Sequence, residues 1–261
     1  MPELAGELLF FLAVAGFIAG FMDSIAGGGG LITVPVLLLS GIGPVETLGT
    51  NKLQALFGSG SAAWTYGSKG HVDIRRQIPA AIMACAGAVV GALLATLLPG
   101  DLLRALLPFL LIAIALYFWR KPDMGDVDRH QRITPFAFGL IVVPLIGFYD
   151  GLFGPGTGSF FMLAFVALAG HGLLKATAHT KLLNFASNMG GFVVFALVGA
   201  VYWKVGLIMG IAQFAGARVG AGLAVRNGSR LIKPMLIIAC IALALRLLAD
   251  PANPLRIWLG L

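Results

Sequence analysis

Apolar positions in this chain gather into long runs, separated by short breaks that carry glycine or charge. A membrane span needs about 20 apolar residues, because the hydrocarbon core is about 30 Å thick. The first run, Leu8 to Met22, is only marginally long enough and ends in Asp23 and the four glycines Gly27 to Gly30. The next, Leu31 to Leu39, is too short to cross and closes at Gly41-Ile42-Gly43-Pro44. Full-length helices are expected at 47–66, 77–98 and 102–119, followed by the most polar segment, Arg120 to Arg132. The second half repeats the layout: a run at 135–149, a glycine break, a short run at 158–169, then long runs at 176–200, 205–225 and 231–248.

The repetition extends to the letters. At an offset of 129, AGAVVGALLA (Ala86 to Ala95) matches AGARVGAGLA (Ala215 to Ala224), and Lys52 pairs with Lys181. At an offset of 127, Asp23 pairs with Asp150 and Gly27 with Gly154. Internal duplication accounts for this, and the small residues suit close helix contact in lipid. The expected architecture is all-α and membrane-embedded, with two inverted repeats and eight to ten membrane segments. Each repeat is a broken or re-entrant hairpin plus three transmembrane helices. The units are a first repeat over 1–119, a cytoplasmic linker over 120–134 and a second repeat over 135–261.

Composition supports the membrane class. The 261 residues are 59% hydrophobic and 11% charged, against about 25% charged in soluble domains. The net charge of +7 marks cytoplasmic loops rather than nucleic-acid binding. Segment 67–77 carries Lys69, Arg75 and Arg76, whereas its counterpart 196–206 holds only Lys204. Conversely, Arg226, Arg230 and Lys233 fall in a loop whose first-half counterpart, Pro99-Gly100-Asp101, has no base. Opposite orientation of the halves explains this, with both termini outside a bacterial inner membrane. The N-terminus lacks the basic start of a secretory signal and is expected to remain as a first helix. A re-entrant hairpin is favoured over a crossing for each short run, since nine residues span only about 14 Å. Cys85 and Cys240 lie far apart in apolar runs, and the four histidines show no ligand spacing, so neither metal nor cofactor is expected.

Non-helical backbone at membrane depth survives only where protein buries it or it lines a wet cavity. Each break opens a new helix, and helix N-termini suit anions. The candidate contacts are Gly28, Gly29 and Gly30 in one half and Gly156, Thr157 and Gly158 in the other. Lys52 and Lys181 near the starts of long helices would neutralise a small oxyanion, with Thr50, Asn51, Gln54, Thr180, Asn184 and Asn188 as hydrogen-bonding neighbours. Arg218, which replaces Val89 of the first half, is a further anion contact or an interhelical brace. Asp23 and Asp150 would pair with the lysines, cap the breaks or accept a coupling proton. The repeat gives each acid a lysine of its own, which disfavours an intramembrane aspartyl protease, whose carboxylates share a proton. No phosphate loop is present for ATP. A passive anion channel would use the same residues.

The motif DSIAGGGGLITVPVLL followed by TNK, repeated as DGLFGPGTGSFF followed by TK, resembles the TauE/SafE, or sulfite exporter, family over about 7–248. That resemblance implies about eight helices and transport of sulfite, sulfoacetate or related organosulfonates. Pro155 departs from the first-half pattern and removes one N–H donor from the second break. The expected partners are a small anion, a proton or another coupling ion, the lipid bilayer and, as an open option, a second copy of the chain.

Overall fold

A computed structural model describes residues 6–97, 116, 119–120 and 125–249. The expected span at 102–119 lies almost wholly outside these residues, as do Arg104 and Arg256. The described chain forms helices α1 (Gly6–Ala26), α2 (Gly30–Leu39), α3 (Pro44–Ser68) and α4 (Ile74–Ala95) in the first half. The second half forms α5 (Pro135–Leu152), α6 (Thr157–Ala167), α7 (Leu173–Leu197), α8 (Trp203–Asn227) and α9 (Ser229–Ala249). Among the described residues there is no strand. Helices α1, α4, α5 and α8 are long and apolar enough to cross a membrane. Large apolar side chains stand outward, among them Phe10 at 72% exposure and Ile211 at 66%, as a lipid-facing surface requires.

Contacts between small residues reveal the direction of each helix. In α1, Gly16 lies against Met209 of α8 and Gly20 against Gln213, so the two helices run parallel. Leu53 and Phe57 of α3 meet Gly206 and Gly210 of α8 in the same sense. Gly87 and Gly91 of α4 meet Pro144 and Phe148 of α5, also parallel. Gly60 meets Phe185 while Gly191 meets the Lys52 stem, so α3 and α7 run antiparallel. Helices α1, α3 and α8 therefore point one way, and α4, α5 and α7 the other. Corresponding helices of the two halves, α1 and α5, α3 and α7, α4 and α8, are oppositely directed, and the repeats are inverted. The halves also interlock, because the first helix of each packs along the fourth helix of the other. A Cβ at Gly16 would lie 2.7 Å from the Met209 carbonyl oxygen, which explains why these faces hold glycine and alanine.

The short helices turn back. Leu37 near the end of α2 packs with Leu12 near the start of α1, and Phe165 of α6 packs at a tilt against Phe138 of α5 with ring centroids 4.7 Å apart. Both α1–α2 and α5–α6 are re-entrant hairpins. Helix α1 is longer than its apolar run, because Asp23 continues it rather than ending it. In α5 a wide π turn spans Phe138–Val142 just before Pro144, which has no N–H for the carbonyl four residues back.

All the loops at one end of the bundle carry bases: Lys69, Arg75 and Arg76 after α3, Arg129 and Arg132 before α5, Lys175 at the start of α7, and Arg226, Arg230 and Lys233 around the α8–α9 turn. Among the described residues the opposite end has only Lys204, with Glu7 and Glu46. Linker residue Asp126 accepts hydrogen bonds from the Leu174 and Ser229 N–H groups, tying the starts of α7 and α9 together. Asp128 accepts from the Gly172 N–H at 2.8 Å and pairs with Lys175 at 2.5 Å.

Candidate functional site

The two hairpin tips touch. Gly27 lies against Gly158, the Ser159 hydroxyl donates to the Ala26 carbonyl at 2.8 Å, and a Cβ on Gly30 would sit 3.4 Å from Pro155 Cα. Gly27 and its counterpart Gly154 both take left-handed backbone, with φ of 79° and 86°, a conformation that glycine adopts freely. No Cβ fits at Gly27 without striking the backbone of Gly158. The glycines therefore serve tip-to-tip contact as well as the chain reversal.

Two ion pairs lie beside the tips, and both cross between halves. Lys52 Nζ is 2.8 Å from Asp150 Oδ1, with the side chains 1% and 2% exposed. Lys181 Nζ is 3.3 Å from Asp23 Oδ2, with exposures of 0% and 8%. Neither lysine reaches headgroup level by snorkelling. Each acid has one lysine, but that lysine belongs to the other repeat, because the interlocked hairpins carry each acid across to the opposite half. The lysines are consequently neutralised, not a pair of free cations.

The two pairs differ in how completely they are closed. Lys181 donates to the Asp23 backbone carbonyl as well as to its carboxylate, and Asp23 Oδ1 accepts the Gly29 N–H at 3.2 Å, capping the start of α2. At the other pair, the Lys52 ammonium lacks an aligned hydrogen-bond acceptor and Asp150 Oδ2 has no donor among the described residues. The Thr157 hydroxyl donates to Asp150 Oδ1 at 2.8 Å or to the Gly154 carbonyl at 2.7 Å. A Cβ on Gly154 would lie 3.2 Å from Lys52 Nζ and 3.7 Å from Asn51 Nδ2. The Lys52 ammonium thus approaches the Gly154 backbone so closely, with the Asn51 amide beside it, that a Cβ there would be crowded.

The remaining candidates divide. Asn51 Oδ1 accepts from Thr33 at 2.6 Å and from Gln54 at 3.0 Å, which fixes the amide so that its nitrogen faces the tips. Asn188 Nδ2 bonds to the Asn184 carbonyl oxygen at 2.7 Å, so these two do share a face of α7. Thr180 is buried, and its hydroxyl has no hydrogen-bond partner among the described residues. Gly28 and Gly29 are buried in the first tip, and Gly156 takes φ of 84° as it opens α6. Thr50 is elsewhere: its hydroxyl accepts the Tyr202 N–H at 2.9 Å and braces α3 to the start of α8. Arg218 also departs from expectation. It is exposed on α8, in a separate cleft with Trp64 and Lys69, and braces no acid among the described residues.

Several supporting residues escape sequence reading. Thr33 orients Asn51, Tyr66 donates to the Ser24 carbonyl at 2.9 Å, and Tyr149 donates to the Pro155 carbonyl at 2.6 Å. Gln213 is 2% exposed between Gly20 and Gly58, and its Oε1 has no partner among the described residues. Its repeat counterpart is Ala84, so a search for matched residues passes over it. A lone amide in an apolar helix is the signal that would have found it.

The profile of the family described as Sulfite exporter TauE/SafE matches residues 12–247. Probable membrane transporter protein ORF9 of a Sinorhizobium species is 68% identical over 260 residues, covering 100% of both chains. Probable membrane transporter protein YfcA of Escherichia coli K12 is 46% identical over 261 residues, covering 100% of this chain and 96% of that protein. A Haemophilus influenzae protein, also named a probable membrane transporter, is 45% identical over 248 residues, which are 95% of this chain and 97% of its own. No solved structure matches significantly. A match across nearly the whole length, with relatives this similar, establishes that the chain belongs to the TauE/SafE family of membrane transporters.

Proposed function

We propose that the protein is a secondary transporter that exports a small oxyanion, sulfite or an organosulfonate such as sulfoacetate, by alternating access around the meeting point of the two hairpin tips. The observation that supports this reading most is the incompletely closed Lys52–Asp150 pair beside Gly154. An ammonium and the Asn51 amide converging on the backbone of a hairpin tip suit an oxyanion. Gly154, Thr157 and Asn51 surround the same ion pair, and Lys181–Asp23 on the far side acts as a lock between the repeats.

The pairing sets a condition on binding. A monoanion at Lys52 must displace the Asp150 carboxylate, and two negative charges beside one buried ammonium leave a net buried charge. Protonation of Asp150 restores neutrality, so anion and proton occupy the site together and binding tightens as pH falls. Net flux then follows the sum of two gradients, and a high internal anion concentration carries both outward. The excess of Lys and Arg at one end of the bundle supports reading that end as cytoplasmic under the positive-inside rule, with both termini outside the bacterial inner membrane.

Counterflow in proteoliposomes tests the proposal. Vesicles loaded with unlabelled sulfite should transiently accumulate labelled sulfite, and Lys52→Ala should abolish the overshoot. Voltage-driven current without exchange would establish a channel instead.

A further inference from the structure

A second cationic feature lies away from the tips. A cleft of about 240 Å³ between α3 and α8 is lined by Trp64, Thr65, Ser68, Lys69, Arg218 and Gly222. Arg218 lies nine residues before the end of α8, about 14 Å along the helix axis. It is nevertheless exposed on the outward face. Ile211 and Phe214 share that face by helical spacing and are 66% and 42% exposed. A guanidinium at this depth among lipid-facing residues is costly unless something anionic meets it.

No acid among the described residues supplies that anion. No acid lines the cleft, and neither Arg218 nor Lys69 has a hydrogen bond or ion pair among the described residues. The acid nearest Lys69 in sequence, Asp73, is paired with Arg76 at 3.2 Å and caps α4. The Thr65 hydroxyl is occupied by the Ser61 carbonyl at 2.8 Å and the Ser68 hydroxyl by the Thr65 carbonyl at 3.1 Å, and Ser68 and Lys69 are exposed at the mouth. Trp64, 67% exposed, forms an amphipathic wall of the kind found at headgroup depth.

The inverted repeat provides an internal control. At the offset of 129, Trp64, Thr65, Ser68 and Lys69 correspond to Val193, Val194, Leu197 and Val198, while Arg218 and Gly222 correspond to Val89 and Leu93. Every polar group of the cleft is replaced by an aliphatic side chain at the opposite end. The fold therefore needs neither cation, and the polar cleft exists only at the end of the bundle that carries the basic loops.

We propose that this cleft binds the phosphate of an anionic phospholipid, with Arg218 and Lys69 holding the phosphodiester, Trp64 flanking the headgroup and an acyl chain lying along Phe214 and Ile211. A free inorganic anion would use the cations but not the apolar stripe, so the stripe favours lipid.

Native mass spectrometry of the full chain in detergent tests this, using phosphatidylglycerol and phosphatidylcholine of equal chain length. Phosphatidylglycerol should be retained preferentially, and Arg218→Gln and Lys69→Gln should each weaken it about tenfold or more, the worth of one charge-assisted hydrogen bond. Arg226→Gln, outside the cleft, should leave it unchanged. Thermal melting shows whether each variant is folded, and the exposed turn residue Lys69 decides the matter if Arg218→Gln is not. Equal retention of the two lipids, or unchanged retention in a folded cleft variant, overturns the proposal. Displacement of the lipid by millimolar inorganic phosphate also overturns it, by identifying a free-anion site.

Discussion

Lys52→Met is the perturbation that bears most directly on the crossed ion pairs. It removes the ammonium 2.8 Å from Asp150 Oδ1 and leaves a carboxylate 2% exposed with only the Thr157 hydroxyl as donor. Breaking a buried pair from one side costs about 3–5 kcal/mol, because the remaining charge is uncompensated. At about 2–4 °C per kcal/mol for a chain of this size, the melting temperature should fall by about 6–20 °C. Replacing both partners, as Lys52→Met with Asp150→Leu, removes the orphaned charge and should recover most of the loss. At the other pair the double replacement Lys181→Met with Asp23→Leu should recover less, because Lys181 also serves the Asp23 carbonyl and Asp23 also caps Gly29. The assay is thermal unfolding in detergent micelles, read as two double-mutant cycles. A Lys52→Met protein as stable as the parent, or a double variant no better than the worse single one, would refute the reasoning.

Three further outcomes follow from the geometry. Gly27→Ala and Gly70→Ala both force left-handed backbone on a residue with a side chain, at φ of 79° and 76°, and each carries a penalty of about 1–2 kcal/mol. Only Gly27 also faces the backbone of Gly158, so it should lose more stability and all counterflow, while similar behaviour of the two variants would deny the tip contact. In the loop before α7, burial first and then Lys175 push the His171 imidazole down to about 4 from 6.5. A group depressed in the folded state stabilises fully above pH 6.5 and loses that contribution as pH falls toward 4, so His171→Phe should flatten the acid limb of the melting profile. Across that window burial tends to raise the Asp128 carboxyl, but Lys175 and the Gly172 N–H outweigh it and hold it below its usual value, so its pair persists. Finally, Asp150→Asn should retain anion binding but lose its pH dependence in equilibrium binding. An unchanged pH dependence would remove Asp150 from coupling.

Much of the fold was legible because duplication writes each feature twice. Matched acids, glycines and lysines marked the hairpins, and unequal loop charges indicated inversion before any helix direction was known. The exchange of partners was not legible, since Lys52 with Asp150 and Lys181 with Asp23 follow from how the hairpins interlock in space. Asp23 looked like a helix end because charge interrupts an apolar run, yet a carboxylate matched by Lys181 and Gly29 can remain helical and buried. Thr50 and Arg218 were grouped with the tips by nearness in sequence or by charge. Helix rotation turns Thr50 toward Tyr202 and Arg218 toward lipid. Gln213 and Thr33 have apolar counterparts, and the logic of repeats is blind to residues present once.

The central claim is that an oxyanion displaces Asp150 from Lys52 and that a proton accompanies it. Proton uptake on binding measures this directly, with the monovalent organosulfonate methanesulfonate as ligand because its single acidic group stays ionised throughout the titration. In weak buffer, titration of the purified protein should consume about one proton per bound anion, since a single carboxylate is released. Asp150→Asn should bind without uptake. Saturable binding that consumes no proton, or the same uptake in Asp150→Asn, would contradict the account.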